Sequence, residues 1–217
     1  MNTSAPGAAA ARLREAAAQL GVPLDSQQLT QLATLASELL RWNKAYNLTA
    51  ITDPDEVLTH HLLDSLSVQQ DLAGELIADV GTGAGFPGLP LAIVNPARRF
   101  TLIDAVDKKL RFIDHAARTL QLTNVVTQHV RVEQLQPPQA FDTVMARAFA
   151  PLPRMVQLVA PLCDAHTTVL AMVGRWPPPE SEAAQFALPV DWRIVADRPI
   201  QVPGLAAERH VLRLQRV

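Results

Sequence analysis

Residues 77–90, IADVGTGAGFPGLP, combine residue types that could hold a charged small molecule. A short apolar run ends at Asp79. Three glycines then alternate with other residues: Gly81, Gly83 and Gly85. Alternating glycines allow positive φ angles and let a ligand approach main-chain N–H groups, because no Cβ stands in the way. A helix beginning near Phe86 or Pro87 would point its positive end at the same place, which favours an anionic or carboxylate-bearing ligand. The stretch therefore predicts a strand, a tight loop and a helix that form a cofactor site.

Two cofactor templates overlap in this stretch. Gly83, Gly85 and Gly88 match the G-x-G-x-x-G spacing of dinucleotide sites. Asp79 and the first three glycines match the acid-x-G-x-G-x-G pattern of S-adenosylmethionine (SAM) methyltransferases. An acid can serve the methionine ammonium of SAM, directly or through water, whereas it would repel a pyrophosphate. The stretch alone therefore favours SAM over NAD, and a glycine-rich turn without a ligand remains the alternative.

A second acidic residue, Asp104, follows the predicted strand at residues 100–103 and lies 25 positions after Asp79. An acid about twenty residues beyond a glycine turn, at the tip of the neighbouring strand, is placed to accept hydrogen bonds from both ribose hydroxyls of an adenosine. Asp104 could also cap the predicted helix at residues 107–120, and the two roles are compatible. This is a second, independent indication of a nucleoside cofactor.

Strands and helices alternate after residue 77, which predicts a doubly wound α/β sheet with its ligands at the carboxyl edge. Further strands are predicted at residues 124–130, 143–146 and 168–173, with a helix at 153–162. Glu133 and Arg147 follow the first two of these strands, so both would lie on the rim of the glycine loop. Two late strands, within 191–202 and 208–217, are joined by a turn. Such a closing hairpin is typical of methyltransferases and not of dinucleotide-binding domains.

The first 70 residues predict a helical N-terminal extension that packs on a main domain at 71–217. Residues 1 to about 8 should be a frayed tail, and helices are expected at 9–20, at about 26–42 and at 54–68. Leucines at helical spacing in the second helix should pack on the main domain. His60 and Asp64 lie one turn apart on the third helix, but no third ligand has matching spacing. We therefore expect a hydrogen-bonded pair there and no metal site.

Residues 41–51, RWNKAYNLTAI, allow two interpretations. Two cations, two aromatic rings and two asparagines could grip a nucleic-acid backbone and stack a base. Alternatively, this is a helix terminus whose asparagines satisfy backbone groups and whose Trp42 lies in the core. The residues themselves favour neither interpretation.

The composition describes a soluble globular protein that can bury a sizeable core. The chain has 217 residues, of which 48% are hydrophobic and 18% charged. A net charge of −2 gives no overall basic footprint for nucleic acid. No run approaches the roughly eighteen apolar residues of a membrane span, the start lacks a secretory signal, and Cys163 is the single cysteine. We expect a cytoplasmic protein that does not contact membranes.

Several segments together resemble one family, the glucose-inhibited division protein B methyltransferases, also called ribosomal RNA small-subunit methyltransferase G. The glycine motif with its trailing FPG and the RAFA segment are far more specific than three alternating glycines. The matching segments are WNKAYNLTAI (42–51), HLLDSL (61–66), DVGTGAGFPGLPLAI (79–93), LIDAVDKKLRFI (102–113), RVE (131–133), RAFAPL (147–152) and AERH (207–210).

The resemblance implies a class I, Rossmann-like enzyme that uses SAM to methylate N7 of one guanosine in 16S ribosomal RNA. Its substrate would be the small subunit or an assembly intermediate, and we expect a monomer. Carried over by motif, the cofactor contacts would include Gly81, Phe86 and Arg147, with Val132 and Glu133 beside the adenine. From the residues themselves, Asp79, Gly83 and Asp104 join them.

The chain departs from the family pattern at two places. Ala105 stands where the family usually has serine, and Val173 stands where a lysine usually precedes Gly174. If that lysine helps to hold RNA, Arg175 is the residue that could have taken over its task.

No general base is expected, because guanine N7 carries a free lone pair and needs no prior deprotonation. Two other functions stay open. One is a SAM enzyme that acts on a protein or a small molecule, and the other is a sensor that binds SAM or a dinucleotide without turnover. A nicotinamide oxidoreductase is the weakest alternative, because Asp79 and the late hairpin both disfavour it.

Overall fold

The computed structural model describes residues 6–217, which form a seven-stranded sheet with helices on both faces. The strands are β1 (Leu76–Val80), β2 (Arg99–Asp104), β3 (Val125–His129), β4 (Thr143–Arg147), β5 (Thr168–Val173), β6 (Trp192–Ile200) and β7 (Arg209–Arg216). The helices are α1 (Pro6–Gln19), α2 (Ser26–Tyr46), α3 (Pro54–Glu56, continuing through Val57–Leu63 and Asp64–Leu66), α4 (Gly88–Val94), α5 (Asp107–Thr119) and α6 (Leu152–Val159). Short 3₁₀ turns lie at Gln69–Asp71, Val132–Gln134, Ala160–Leu162 and Glu180–Phe186.

The strand order is β3-β2-β1-β4-β5-β7-β6. The first five strands are parallel, and β7 is antiparallel to both of its neighbours, β5 and β6. The order reverses between β1 and β4, where the two halves of the sheet diverge, and ligands of such sheets bind at the carboxyl edge of that point. The predicted doubly wound sheet with a closing hairpin is confirmed, and β7 lies inside the sheet while β6 forms its edge.

The N-terminal helices belong to the same apolar cluster as one face of the sheet. Leu32, Leu35 and Leu39 of α2 are fully buried and cluster with Leu89 of α4 and Phe112 of α5. The prediction that these leucines pack on the main domain is confirmed. The domain boundary at residue 70 stays a prediction. Of the predicted frayed tail, residues 1–5 lie outside the described part of the chain, and α1 already begins at Pro6.

Helix α3 begins as the sequence predicts, at an Asp-Pro start. Asp53 Oδ1 accepts hydrogen bonds from the N–H groups of Asp55 at 2.9 Å and Glu56 at 3.1 Å. The middle of this helix, Val57–Leu63, is π-helical. A π-helical turn changes which side chains share a face, and such turns are frequent at functional sites. In this protein the turn includes His61 and immediately precedes Asp64.

A helix that spans a bilayer must be both long enough and apolar enough. Within residues 6–217, no helix meets both conditions.

Candidate functional site

The glycine loop connects β1 to α4 with three residues at positive φ: Gly81 at 66°, Gly83 at 62° and Gly85 at 87°. Its amides are used within the protein. Gly81 and Thr82 donate to the carbonyl of Ile103, and Gly83 donates to Asp104 Oδ2 at 3.0 Å. The expectation that these N–H groups face a ligand is therefore wrong for three of the loop's residues, because they tie the loop to β2. The glycines, which lack side chains, instead let residues of β2 come close to the loop backbone.

Asp79 lies beneath the loop and caps α4. It is 1% exposed, and its Oδ2 accepts hydrogen bonds from Thr82 Oγ1 at 2.6 Å and from the Gly88 N–H at 2.9 Å. The positive end of α4 thus meets this carboxylate and not a ligand, contrary to the sequence-based expectation. Burial raises the pKa of Asp79 to about 6, although both hydrogen bonds oppose the change. Oδ1 has no hydrogen-bond partner among residues 6–217.

A cavity of about 440 Å³, called here the nucleoside cavity, lies at the carboxyl edge of β1, β2 and β4. Four of the predicted site residues line it: Gly81, Asp104, Val132 and Glu133. Ile103 and Leu158 add apolar walls. Asp104 is 6% exposed, and its Oδ1 accepts a hydrogen bond from the Val106 N–H at 2.9 Å while Oδ2 holds the loop at Gly83. Asp104 therefore braces the glycine loop and also presents its carboxylate at the cavity wall.

Four predicted contacts do not line the nucleoside cavity: Asp79 and Gly83, described above, and Phe86 and Arg147. Phe86 is buried and stacks on His61 with ring centroids 4.7 Å apart. Arg147 Nη1 donates to the carbonyl oxygen of His60 at 3.0 Å and to Asp64 Oδ2 at 2.8 Å. Both residues are thus directed towards helix α3, and their contact with a cofactor stays a prediction.

Arg147 lines a second cavity, of about 450 Å³, which we call the arginine cavity. Its other lining residues are Ile51, His60, His61, Asp64, Ala148, Met172, Val173, Gly174 and Arg209. Asp64 accepts hydrogen bonds from both arginines, at 2.8 Å from Arg147 and 3.1 Å from Arg209. The predicted His60–Asp64 pair is therefore wrong: two guanidinium groups bind the carboxylate, and hydrogen bonds from charged donors are strong.

His61 is a buried, neutral ring on the wall of the arginine cavity. Its Nε2 and Thr49 Oγ1 are 2.9 Å apart, and its Nδ1 has no partner among residues 6–217. Burial, followed by the positive charge of Arg147, lowers the pKa of His61 to about 4. The ring therefore adds a flat, uncharged surface to the cavity at neutral pH.

Ala148 lines both cavities, so the two adjoin across this residue. It follows β4 with a φ of 49°, a left-handed conformation that is rare outside glycine. Phe149 comes next and packs against Gly81, where an added Cβ would lie 2.3 Å from its ring. Sequence reasoning assigned no role to Phe149 or Arg209, although the RAFA and AERH segments that contain them supported the family resemblance.

In the stretch 41–51, the structure favours the helix-terminus interpretation for two residues. Trp42 packs edge-on against Phe112 with centroids 5.8 Å apart. The Asn43 amide is buried and exchanges two hydrogen bonds, each 2.9 Å long, with the backbone of Thr49. Tyr46 is 44% exposed, whereas Trp42 is only partly exposed, so Tyr46 is the more accessible aromatic ring of this stretch.

The nucleoside cavity suits SAM by its shape and its donor set. A carboxylate stands at the tip of β2, where a ribose would bind, with Lys109 Nζ 3.4 Å from its Oδ2. Ile103, Val132 and Leu158 give the cavity apolar surface for a purine. An added Cβ at Gly83 would meet no atom within 4 Å, so the loop has open space above it. These features fit a nucleoside with a charged tail.

Solved structures with the same fold lead to the class of protein. Magnesium protoporphyrin IX methyltransferase from Synechocystis, solved with SAM, has a TM-score of 0.57 and 16% identity, covering 89% of this chain and 98% of that one. A SAM-dependent methyltransferase from Aquifex aeolicus has a TM-score of 0.54 and 16% identity, covering 79% and 97%. The fold and the site define a class I SAM-dependent methyltransferase.

The family follows from sequence comparison. A family model described as rRNA small subunit methyltransferase G matches residues 28–211, and the chain belongs to that family. The ribosomal RNA small subunit methyltransferase G of Aeromonas hydrophila is 45% identical over 206 residues, covering 95% of this chain and 94% of the relative. That of Stutzerimonas stutzeri is 46% identical over 209 residues, covering 95% of each. The resemblance inferred from the motifs is thereby confirmed.

Proposed function

We propose that this protein transfers a methyl group from SAM to N7 of one guanosine in 16S ribosomal RNA. Membership of the rRNA small subunit methyltransferase G family, across residues 28–211, is the observation that carries the proposal. The nucleoside cavity beside the glycine loop supports it, because a methyltransferase of this class needs such a cavity for its cofactor. The enzyme is thus a 16S rRNA (guanine-N7)-methyltransferase.

The cofactor would be held by residues of three loops at the carboxyl edge. Asp104 would accept hydrogen bonds from the ribose hydroxyls, and Val132 and Glu133 would flank the adenine. Gly81 and Gly83 keep the loop backbone free of side chains. Asp79 would act on the ammonium group from beneath the loop, through its unpartnered Oδ1 and a bridging water. Phe86 and Arg147 complete the set that the family motifs imply.

SAM supplies an electrophilic methyl group when it is bound. The protein's part is to orient the target guanine, because N7 carries its lone pair in the plane of the ring and needs no base to free it. Correct alignment can supply on the order of 7–11 kcal/mol of the barrier. Since N7 lies on the Hoogsteen edge, the target base must be unstacked and presented from a loop or a splayed strand.

The protein would act as a cytoplasmic monomer on the small subunit or one of its assembly intermediates. A net charge of −2 supports a structured substrate, because such a chain has little general attraction for RNA. Residues 1–70 would form an extension packed on the methyltransferase domain at 71–217, as the shared apolar cluster of α2, α4 and α5 supports.

The test is incubation of the purified protein with tritiated SAM and 16S RNA, both free and within small subunits, from cells lacking its gene. We expect label in 7-methylguanosine at a single nucleotide, with small subunits or their precursors as the better substrate. Label in a protein or a small molecule would favour the other enzyme class. SAM binding without transfer to any acceptor would favour a sensor.

A further inference from the structure

Arg209 reaches the catalytic edge because of the direction of β7. Strand β7 is antiparallel to β5, so its first residues lie beside the last residues of β5: His210 pairs with Val173. Arg209 therefore stands at the carboxyl edge of the parallel strands, on the wall of the arginine cavity. Arg216, at the other end of the same strand, pairs with Trp192 and lies at the opposite edge of the sheet.

The buried carboxylate of Asp64 fixes the direction of the Arg209 side chain. Asp64 is 2% exposed, and its Oδ1 accepts a hydrogen bond from Arg209 Nε at 3.1 Å. Arg209 Nη1 donates to the carbonyl of Glu208 at 2.9 Å, whereas Nη2 makes no hydrogen bond with residues 6–217. The side chain is 26% exposed. A fixed guanidinium group with a free edge is a preorganised site for an oxyanion.

The charges around the arginine cavity favour an anion. Arg147 and Arg209 share one carboxylate, Asp64, which is the only acid that lines this cavity within residues 6–217. The three groups together carry one positive charge. Ile51, Met172 and Val173 make the remaining walls largely apolar, so this charge is poorly screened.

Two oxyanions could meet this charge: the carboxylate of the cofactor and a phosphodiester of the RNA. Arg147 is the arginine that the family motifs place on the cofactor, and it is the last residue of β4, next to Ala148 of the nucleoside cavity. Arg209 lies beyond it, at the end of β5. A guanidinium group directed at the target base would oppose the positive charge that guanine gains at N7, whereas one directed at a phosphate would not.

We propose that Arg209, oriented by Asp64, binds a phosphate oxygen of the RNA next to the target guanosine, so that the arginine cavity is the acceptor side of the site. This inference rests on the proposed function, because it takes RNA as the acceptor. Asp64 is then a positioning residue: it fixes the orientation of Arg147 on the cofactor side and of Arg209 on the RNA side.

The test compares Arg209→Gln with Arg216→Gln in binding to small subunits whose target guanosine is unmethylated. Affinity is measured at several salt concentrations and its logarithm is plotted against the logarithm of the salt concentration. Each lost phosphate contact lowers the magnitude of this slope by about 0.7–1. We expect Arg209→Gln to lower the slope by that amount and the affinity by about 10-fold, while SAM affinity stays unchanged. Arg216 is in an exposed ion pair with Asp191, and its replacement should leave both quantities as in the wild type.

Arg209→Lys separates the lost charge from disturbed folding, since lysine keeps the charge and loses the Nε donor to Asp64. We expect it to retain the wild-type salt slope with a raised KM for subunits. A wild-type slope in Arg209→Gln, an equal loss in Arg216→Gln, or a matching loss of SAM affinity would each overturn the inference. If the wild-type protein binds no subunits, the proposed function is overturned as well. If the wild-type protein methylates RNA and Arg209→Gln keeps the wild-type salt slope, only this inference is overturned.

Discussion

Gly81 and Gly83 both have positive φ, yet an added methyl group would meet different surroundings at each position. A Cβ on Gly81 would lie 2.3 Å from the Phe149 ring, and one on Gly83 would meet nothing within 4 Å. Alanine costs roughly 1–2 kcal/mol at either position for its left-handed conformation. The two residues therefore make a matched pair that differs in packing against Phe149.

We expect Gly81→Ala to lower the melting temperature more than Gly83→Ala, because only the former must displace Phe149. Gly83→Ala should mainly weaken SAM binding, since its methyl group enters the open space above the loop. Thermal melts and calorimetric titration with SAM would measure both effects. Equal melting temperatures, or unchanged SAM affinity in Gly83→Ala, would contradict this account of the loop.

Asp104 should be the carboxylate on which SAM affinity depends most. Its two oxygens hold the loop at Gly83 and the start of α5 at Val106, and it faces the nucleoside cavity. Hydrogen bonds to charged groups contribute about 1.5–3 kcal/mol, so Asp104→Asn should weaken SAM binding by about 10- to 100-fold. Asp107→Asn removes a nearby carboxylate that is exposed and paired with Arg111, and it should change SAM affinity little. Titration calorimetry on both variants checks the difference.

The buried, neutral His61 should make folding stability depend on pH. Its pKa is about 4 in the folded protein against 6.5 in the unfolded chain, so below 6.5 the unfolded chain binds more protons. The stabilisation is present above pH 6.5 and is lost as the pH falls towards 4, by about 3 kcal/mol at most. His61→Phe keeps the stacking on Phe86 and cannot titrate. We expect urea midpoints to fall less between pH 7 and about pH 4.5 in this variant than in the wild type; equal falls would exclude the effect.

At the scale of elements, helix α2 contributes the clearest packing contact between the N-terminal residues and the sheet domain. Leu35 is fully buried, so Leu35→Ala should destabilise the protein by about 2–5 kcal/mol. Each kcal/mol should lower the melting temperature by about 2–4 °C. If residues 1–70 and the main domain share one core, melting should stay a single transition. Ser37→Ala on the exposed side of α2 is the control and should change stability by less than about 0.5 kcal/mol. Two separate transitions in calorimetry would show that the extension unfolds by itself.

The elements that could be predicted are those whose signals are local. The apolar runs of β1, β2 and β4 end at Asp79, Asp104 and Arg147, and that of β5 ends at Gly174. The Asp-Pro start of α3 caps its helix as its sequence indicates. The position of β7 between β5 and β6 depends on strand pairing, which a local sequence pattern cannot predict. The same holds for Asp64: its spacing suggests His60 as a partner, while both of its actual partners come from strands more than 80 residues away. Residue type and spacing thus located the nucleoside cavity, and tertiary pairing was needed for the arginine cavity.

At the scale of the whole molecule, we expect recognition of 16S rRNA to involve contacts beyond the two cavities. Arg175 is exposed just after β5 and follows Gly174 of the arginine cavity. If Arg175 has taken over the task of the family lysine that is absent at Val173, Arg175→Ala should weaken RNA binding while SAM affinity stays unchanged. Binding to small subunits and SAM titration would be compared with the wild type. An unchanged RNA affinity would show that Arg175 does not replace the lysine that is absent at Val173.

The inserted position of β7 also affects how the protein forms during its own synthesis. Strand β6 is made first, yet β7 is its only neighbour among the strands of residues 6–217, so it stays unpaired until the chain has been extended to Arg216. Arg209 and the Asp64 contact are completed at the same late stage. Proteins fold from the N-terminus while they are translated. We therefore expect a nascent chain to complete the glycine loop before the arginine cavity, because Arg209 is added to the cavity wall only with β7.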